Sequence, residues 1–311
     1  MVPATIAAMA TKTRYGRLPT ERANRRSANL DRLSARGIAR LMNREDARAV
    51  RAVGRVQGAI AAGVEVIVAA LARGGRLFFV GAGTSGRLGV LEAAECPPTF
   101  GTPPRLVQGI MAGGRSSVFR SREGAEDDAE AATRVVRRRV RAGDVVVGVS
   151  ASGVTPFVRA ALATARRRGA AIVLVACNPA RTVPGALLIA PRPGPEVLAG
   201  STRLKAGTAT KLVLNTLTTA SMARLGKVYG NRMVDLQPRS AKLRARAERL
   251  VADVAGVSRR RAARALAGAG GHARLAIVMA RRHLDAGAAR RALHAAGGSL
   301  RAVIDGVPPR S

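Results

Sequence analysis

Five short apolar runs alternate with longer stretches of helical period between residues 77 and 190. They are LFFVG at 77–81, LVQGIM at 106–111, DVVVGVS at 144–150, AIVLVA at 171–176 and ALLIA at 186–190. Each is rich in Val, Ile or Leu and apolar on both of its alternating faces, as strands of a parallel sheet covered on both sides read. Strands alternating with helices predict right-handed βαβ units and an α/β fold: a three-layer α/β/α sandwich around a mainly parallel sheet. Upstream, Glu45 to Ala72 has helical period and stops at Gly74-Gly75. Residues 1–44 are polar and weakly helical, an N-terminal arm. Residues 45–235 form the sheet domain, closed by a long helical segment, and Arg/Ala-rich residues 236–311 form a small helical C-terminal region.

The first strand runs into Gly81-Ala82-Gly83-Thr84-Ser85-Gly86, which then opens a helix. A glycine-rich turn at a helix start is a natural phosphate cradle. GxGxxG after a strand also fits dinucleotide binding, but that fingerprint wants an acid at the end of the next strand. Here that strand ends in Ala112-Gly113-Gly114-Arg115. Thr84 and Ser85 add two hydroxyls, which suit the oxygens of a phosphomonoester. A second turn, Ser150-Ala151-Ser152-Gly153-Val154-Thr155-Pro156, repeats the theme after the third strand. One such turn reads equally well as a strand-to-helix connection with Ser/Thr caps. Two matching turns point to one phosphate held between them. Beside them stand two carboxylates in unusual settings, Glu95 in AAECPP and Glu126 in EGAEDD. Proton transfer on a bound phosphosugar needs such a pair.

Charge and composition narrow the partners. The formal charge is +34, almost all from Arg, with Lys only at positions 12, 205, 211, 227 and 242. A nucleic-acid partner is one account. The arginine clusters are nevertheless scattered over many helix-like stretches and are not interleaved with aromatics, as single-strand binders are. Solvated helix faces, with at most nonspecific adhesion to nucleic acid at low salt, fit better. No apolar run approaches the ~20 residues that span a bilayer. The opening MVPATIAAMA lacks a basic n-region and reads as a leader or an upstream start, with Met9 an alternative, rather than a signal peptide. Cys96 and Cys177 form no CxxC pair and read as free thiols of a reducing cytoplasm. His272, His283 and His294 lack metal-ligand spacing and read as surface residues.

Taken together, GAGTSGRLGVLEAAECPPTFG, EGAEDD, VVVGVSASGVTPFV, ACNP, GPEVLAGSTRLKAGTATKLVLN and GKVYGNRMVD resemble the N-acetylmuramic acid 6-phosphate etherases of the sugar isomerase (SIS) family. TERANRRSANLD adds a weaker match, and the resemblance runs from about Thr20 to Asp235 and loosely beyond. It implies an SIS domain in a cytoplasmic homodimer without metal or cofactor. It also implies cleavage of the D-lactyl ether of N-acetylmuramate 6-phosphate, in recycling of cell-wall sugar. Glu95 is then the acid and Glu126 the base, with the reverse assignment open. Gly83, Thr84, Ser85, Ser150, Ser152 and Thr155 hold the substrate, with Arg203 and Lys205 of STRLKAGTA as carboxylate or phosphate contacts. Desolvation at the end of GVLEAAEC is expected to raise the Glu95 pKa, and a nearby helix start to favour ionised Glu126. Three positions depart from the family pattern: Val154 where Arg is usual, Thr210 where Gln is usual, and Arg232 in place of an apolar residue. A noncatalytic phosphosugar sensor on the same fold would not need the two glutamates, and an aldose-ketose isomerase would not need ECPPTFG.

Overall fold

The computed structural model describes residue 16 and residues 18–179, 183–235 and 241–307. The reading of the first ten residues, including Met9, lies outside the described residues. All five expected strands form: β1 Leu77–Gly81, β2 Val107–Met111, β3 Val145–Val149, β4 Ala171–Val175 and β5 Leu187–Ile189. They make one parallel sheet in the order β2-β1-β3-β4-β5. Alternate strand residues serve two cores. Phe79, Val147 and Val175 pack with helices α2 (Gln57–Ala72), α3 (Gly83–Phe100) and α7 (Lys205–Arg224). Phe78, Val146 and Leu174 pack on the other face with α5 (Ala129–Arg139) and α6 (Pro156–Arg167). Burying each such side chain contributes ~1.5–3 kcal/mol, which is why both strand faces are apolar. The helices α1 (Ala35–Gly54) and α4 (Ser116–Phe119) complete the sheet domain, and α8 to α12 (241–305) enclose a third core of their own.

The first long helix starts ten residues earlier than its apolar period indicates. Ser34 caps it by accepting from the Gly37 N–H at 3.2 Å. Its inward stripe is Leu41, Glu45, Ala49 and Ala52, and a carboxylate in the middle of that stripe breaks the hydrophobic signal. Preceding it, residues 19–32 form three 3₁₀ turns that dock on the sheet domain: the Thr20 N–H donates to Asn178 Oδ1 at 3.2 Å and the Asn178 amide donates to Thr20 Oγ1 at 2.9 Å. The antiparallel pair β6 (Val228–Tyr229) and β7 (Arg232–Met233) was not expected. Among the described residues no single helix is long and apolar enough to cross a membrane.

Candidate functional site

Sheet order places the site. In a 2-1-3-4-5 sheet the connections leave in opposite directions from β1 and β3, opening a crevice at their carboxyl ends. Gly81 and Val149 are register partners, so both hydroxyl-rich turns begin side by side, about 4.8 Å apart. Each glycine of the first turn has its own reason. A Cβ on Gly81 would meet the Gly86 nitrogen at 2.6 Å, and one on Gly86 would meet the Gly81 oxygen at 2.5 Å. Gly83 has φ +52° and open space beside it, so the backbone is bare where a ligand approaches. The N-cap Ala82 offers no side-chain oxygen, and the first intrahelical bond of α3 runs from the Gly86 N–H to the Ala82 carbonyl. The N–H groups of Gly83, Thr84 and Ser85 therefore have no acceptor within the helix.

The second turn is tied by its own hydroxyls. Ser150 Oγ lies 2.8 Å from Thr155 Oγ1 and 3.2 Å from Ser152 Oγ, and it accepts from the Gly153 N–H at 3.0 Å. Ser152 Oγ accepts from the Val154 N–H at 3.2 Å. The start of α7 joins them, since a Cβ on Gly207 would lie 3.7 Å from the Thr84 methyl. Arg203, just before α7, is exposed. Glu126 closes one side: its carbonyl accepts from the Phe157 N–H at 2.9 Å, which pins EGAEDD to the start of α6. It lines a cavity of 310 Å³ with Gly83, Arg87, Met111, Ser117 and Arg122. Asp128, two residues on, caps α5 by accepting from the Ala131 N–H at 2.8 Å.

Glu95 is elsewhere. The sequence puts it at the end of a helix, but α3 continues through Pro97 and Pro98 to a left-handed cap at Gly101. Twelve residues separate Glu95 from Gly83, a rise of about 18 Å at 1.5 Å per residue. Glu95 is exposed, so the burial expected from its apolar neighbours is not supplied by a single chain. Leu91, one turn earlier, is 41% exposed. One chain thus brings together both turns, the start of α7 and Glu126, and leaves Glu95 at the far end of α3.

Several participants escape a sequence reading. Arg87 in GTSGRLG reaches the cavity while donating to the carbonyls of Val118 (2.7 Å) and Ser117 (3.0 Å) and to Ser121 Oγ (3.1 Å). Ser117 Oγ is buried with no hydrogen-bond partner among the described residues. Lys205 is not a free cation: it is fully buried, and its Nζ donates to Glu45 Oε2 at 2.5 Å. The Glu196 carboxylate accepts from the backbone N–H groups of Lys205 and Ala206 at 2.9 Å each, and Asn24 Nδ2 donates to Glu45 at 2.9 Å. Burial pushes the Glu45 carboxyl up, but hydrogen bonds from Lys205 and Asn24 and the charges of Lys205 and Arg48 outweigh it, so its pKa is lowered. For Glu196 burial wins over the two N–H bonds and the pKa is raised. A signal for these pairs existed. In an arginine-dominated chain, Lys205, Lys211 and Lys227 each contact a carboxylate, those of Glu45, Glu92 and Asp235. Cys96 and Cys177 are buried and free, with burial pushing both thiols up to about 12. The three histidines are exposed.

Removing the Lys205 cation leaves the buried Glu45 with only Arg48 and Asn24 as partners. Lys205→Met should therefore cost about 3–5 kcal/mol, read as a lowered urea midpoint. The paired carboxylate of Glu45 stabilises the fold above its ordinary pKa of 4.5, and this contribution is lost as pH falls through the lowered folded value. The variant should lose part of that acid limb of the stability curve, the part that Asn24 and Arg48 do not supply. An unchanged midpoint with an intact acid limb would rule out the pair as an anchor of α7.

A five-stranded parallel sheet with hydroxyl-rich turns at its switch point defines an SIS-type α/β domain, and residues 59–166 match the glucokinase regulatory protein N-terminal SIS domain. Among solved structures, a phosphoheptose isomerase from Neisseria gonorrhoeae is 17% identical with a TM-score of 0.45, covering 61% of this chain and 100% of that one. The chain is 51% identical over 291 residues to the N-acetylmuramic acid 6-phosphate etherase of Gloeobacter violaceus, covering 93% of this chain and 95% of that protein. It is 50% identical over 299 residues to that of Trichormus variabilis, covering 95% and 97%. The chain belongs to the N-acetylmuramic acid 6-phosphate etherase family.

Proposed function

We propose that this protein cleaves the D-lactyl ether of N-acetylmuramate 6-phosphate, giving N-acetylglucosamine 6-phosphate and D-lactate, as a lyase of cell-wall amino sugar recycling in the cytoplasm. The observation that carries the reading is identity of about half, over nearly the whole chain, to proteins named for this reaction. The 6-phosphate sits between the two turns, on the N–H groups of Gly83, Thr84 and Ser85 and the hydroxyls of Ser150, Ser152 and Thr155. Arg203 is a further anion contact, and Lys205 acts by fixing the start of α7. The sheet domain, taken as 45–235, carries the crevice, between an N-terminal arm and a helical C-terminal subdomain from 236.

The chemistry follows from the substrate. An alkyl ether leaves poorly, and the carbon 2 proton of a closed pyranose is barely acidic. Ring opening exposes an aldehyde at carbon 1 and makes that proton α to a carbonyl. Glu126, ionised, removes it. Glu95, protonated, gives its proton to the lactate oxygen as the bond to carbon 3 breaks. Water then adds at carbon 3 of the unsaturated aldehyde. The two carboxyls must hold their protons differently, which calls for different surroundings. Carbons 2 and 3 are bonded neighbours, so both carboxyls must converge on one sugar. With about 18 Å of helix between Glu95 and its own cradle, we place Glu95 in the crevice of a second chain. The protein is then a homodimer whose apposed α3 surfaces, around the exposed Leu91, supply the burial that Glu95 lacks alone. Incubation with N-acetylmuramate 6-phosphate should release free D-lactate. Folded protein that releases none would sink the reading. A noncatalytic sensor is less favoured because it would need neither glutamate.

A further inference from the structure

A second cationic cavity lies at the opposite edge of the sheet, where β1, β2 and β3 begin. It measures 360 Å³ and is lined by Arg76, Arg138, Arg139, Arg141 and Arg168 together with Gln108. No acid lines it. The Asp144 carboxylate is buried and already accepts from Arg76 Nε at 3.1 Å and Nη2 at 2.6 Å. The strands between this cavity and the crevice are five residues long, or about 16 Å at 3.3 Å per residue, so the two sites are separate.

Capping of helix ends accounts for part of the cluster. Arg76 donates to the Arg139 carbonyl at 2.7 Å and Arg168 to the Val140 carbonyl at 2.6 Å, both at the carboxyl end of α5. A cation there complements the helix dipole. Two arginines suffice for that, and five are present. Arg138 and Arg141 make no side-chain hydrogen bond among the described residues, and both are exposed. The others are held in place: Arg139 donates to Gln108 Oε1 at 2.7 Å, and the guanidiniums of Arg76 and Arg139 lie 5.0 and 5.7 Å from the Phe78 ring. Burial and the charge of Arg76 both push the Arg139 pKa down. Each guanidinium carries five donors, and most remain unspent.

We propose that this cavity is a second anion site, which takes a compact ligand of two or more linked phosphates at the sheet edge opposite the sugar crevice. Four of the five cations have no carboxylate partner among the described residues, and four exceed the charge of one phosphomonoester. A lining with Val140 as its one apolar side chain leaves no place for a base or an acyl chain.

Calorimetric titration with inorganic tripolyphosphate at about 0.15 M ionic strength tests this. One tripolyphosphate should bind per chain. The double variant Arg138→Gln/Arg141→Gln, confined to exposed side chains, should bind at least about tenfold more weakly, as expected for lost charge-assisted hydrogen bonds. Its lactate release without tripolyphosphate should be unchanged, and N-acetylglucosamine 6-phosphate should not compete. Equal affinity in the double variant, many weak sites per chain, displacement by the sugar phosphate, or binding of duplex DNA without tripolyphosphate would each overturn the proposal.

Discussion

Equal amounts of Glu95→Gln and Glu126→Gln chains, each inactive alone, should regain about a quarter of wild-type lactate release when allowed to form mixed dimers. The expectation comes from helix geometry. Glu126 lines the cavity beside Gly83, whereas Glu95 sits about 18 Å along α3 from that glycine. A twofold dimer apposes the same surface of both chains, so each crevice can combine its own Glu126 with the partner's helix. In a mixed dimer one crevice then has both native carboxyls and the other has neither. Half of randomly assorted dimers are mixed, and each works at half capacity, which gives the quarter. A mixed dimer purified through two different tags should run at about half the wild-type rate. If each chain carried its own complete pair, both crevices of the mixed dimer would be broken and no recovery would be seen. Full activity of Glu95→Gln alone would remove Glu95 from the chemistry altogether.

The parts of the molecule legible in the sequence are those governed by one local rule. The five strands declare themselves because both faces of each are covered, which forces apolar residues at consecutive positions. The two turns are legible because glycine and hydroxyl residues cluster where β1 and β3 feed helices. The start of α1 was hidden because its inward stripe contains Glu45, whose burial makes sense only beside Lys205, 160 residues away. Glu196 and Glu92 are of the same kind: carboxylates whose partners come from α7. The β6–β7 pair did carry a local signal, since Gly230 with φ +57° before Asn231 is a tight hairpin turn, but two-residue strands leave no alternation to read. The exposure of Glu95 was not legible, because the apolar residues of GVLEAAEC do not say which face of α3 the rest of the chain covers.

The proposed assignment of base and acid has a test that lactate release cannot give, because both glutamate variants should stop the overall reaction. In deuterated water the carbon 2 proton of bound substrate exchanges with solvent whenever the base removes it and returns a deuteron. Glu126→Gln should slow that exchange by about 10²–10⁴-fold, the usual contribution of a positioned general base. Glu95→Gln should keep it, because deprotonation comes before the lactate oxygen departs and the acid is not yet needed. The intermediate in that variant, unable to expel lactate, returns to substrate carrying deuterium at carbon 2. Mass spectrometry of recovered N-acetylmuramate 6-phosphate would read a gain of one mass unit with Glu95→Gln and none with Glu126→Gln. The opposite pattern would make Glu95 the base and Glu126 the acid. Loss of exchange in both variants would mean that proton removal and lactate departure occur in one concerted step that needs both carboxyls, and the stepwise route through an enolate would have to be abandoned.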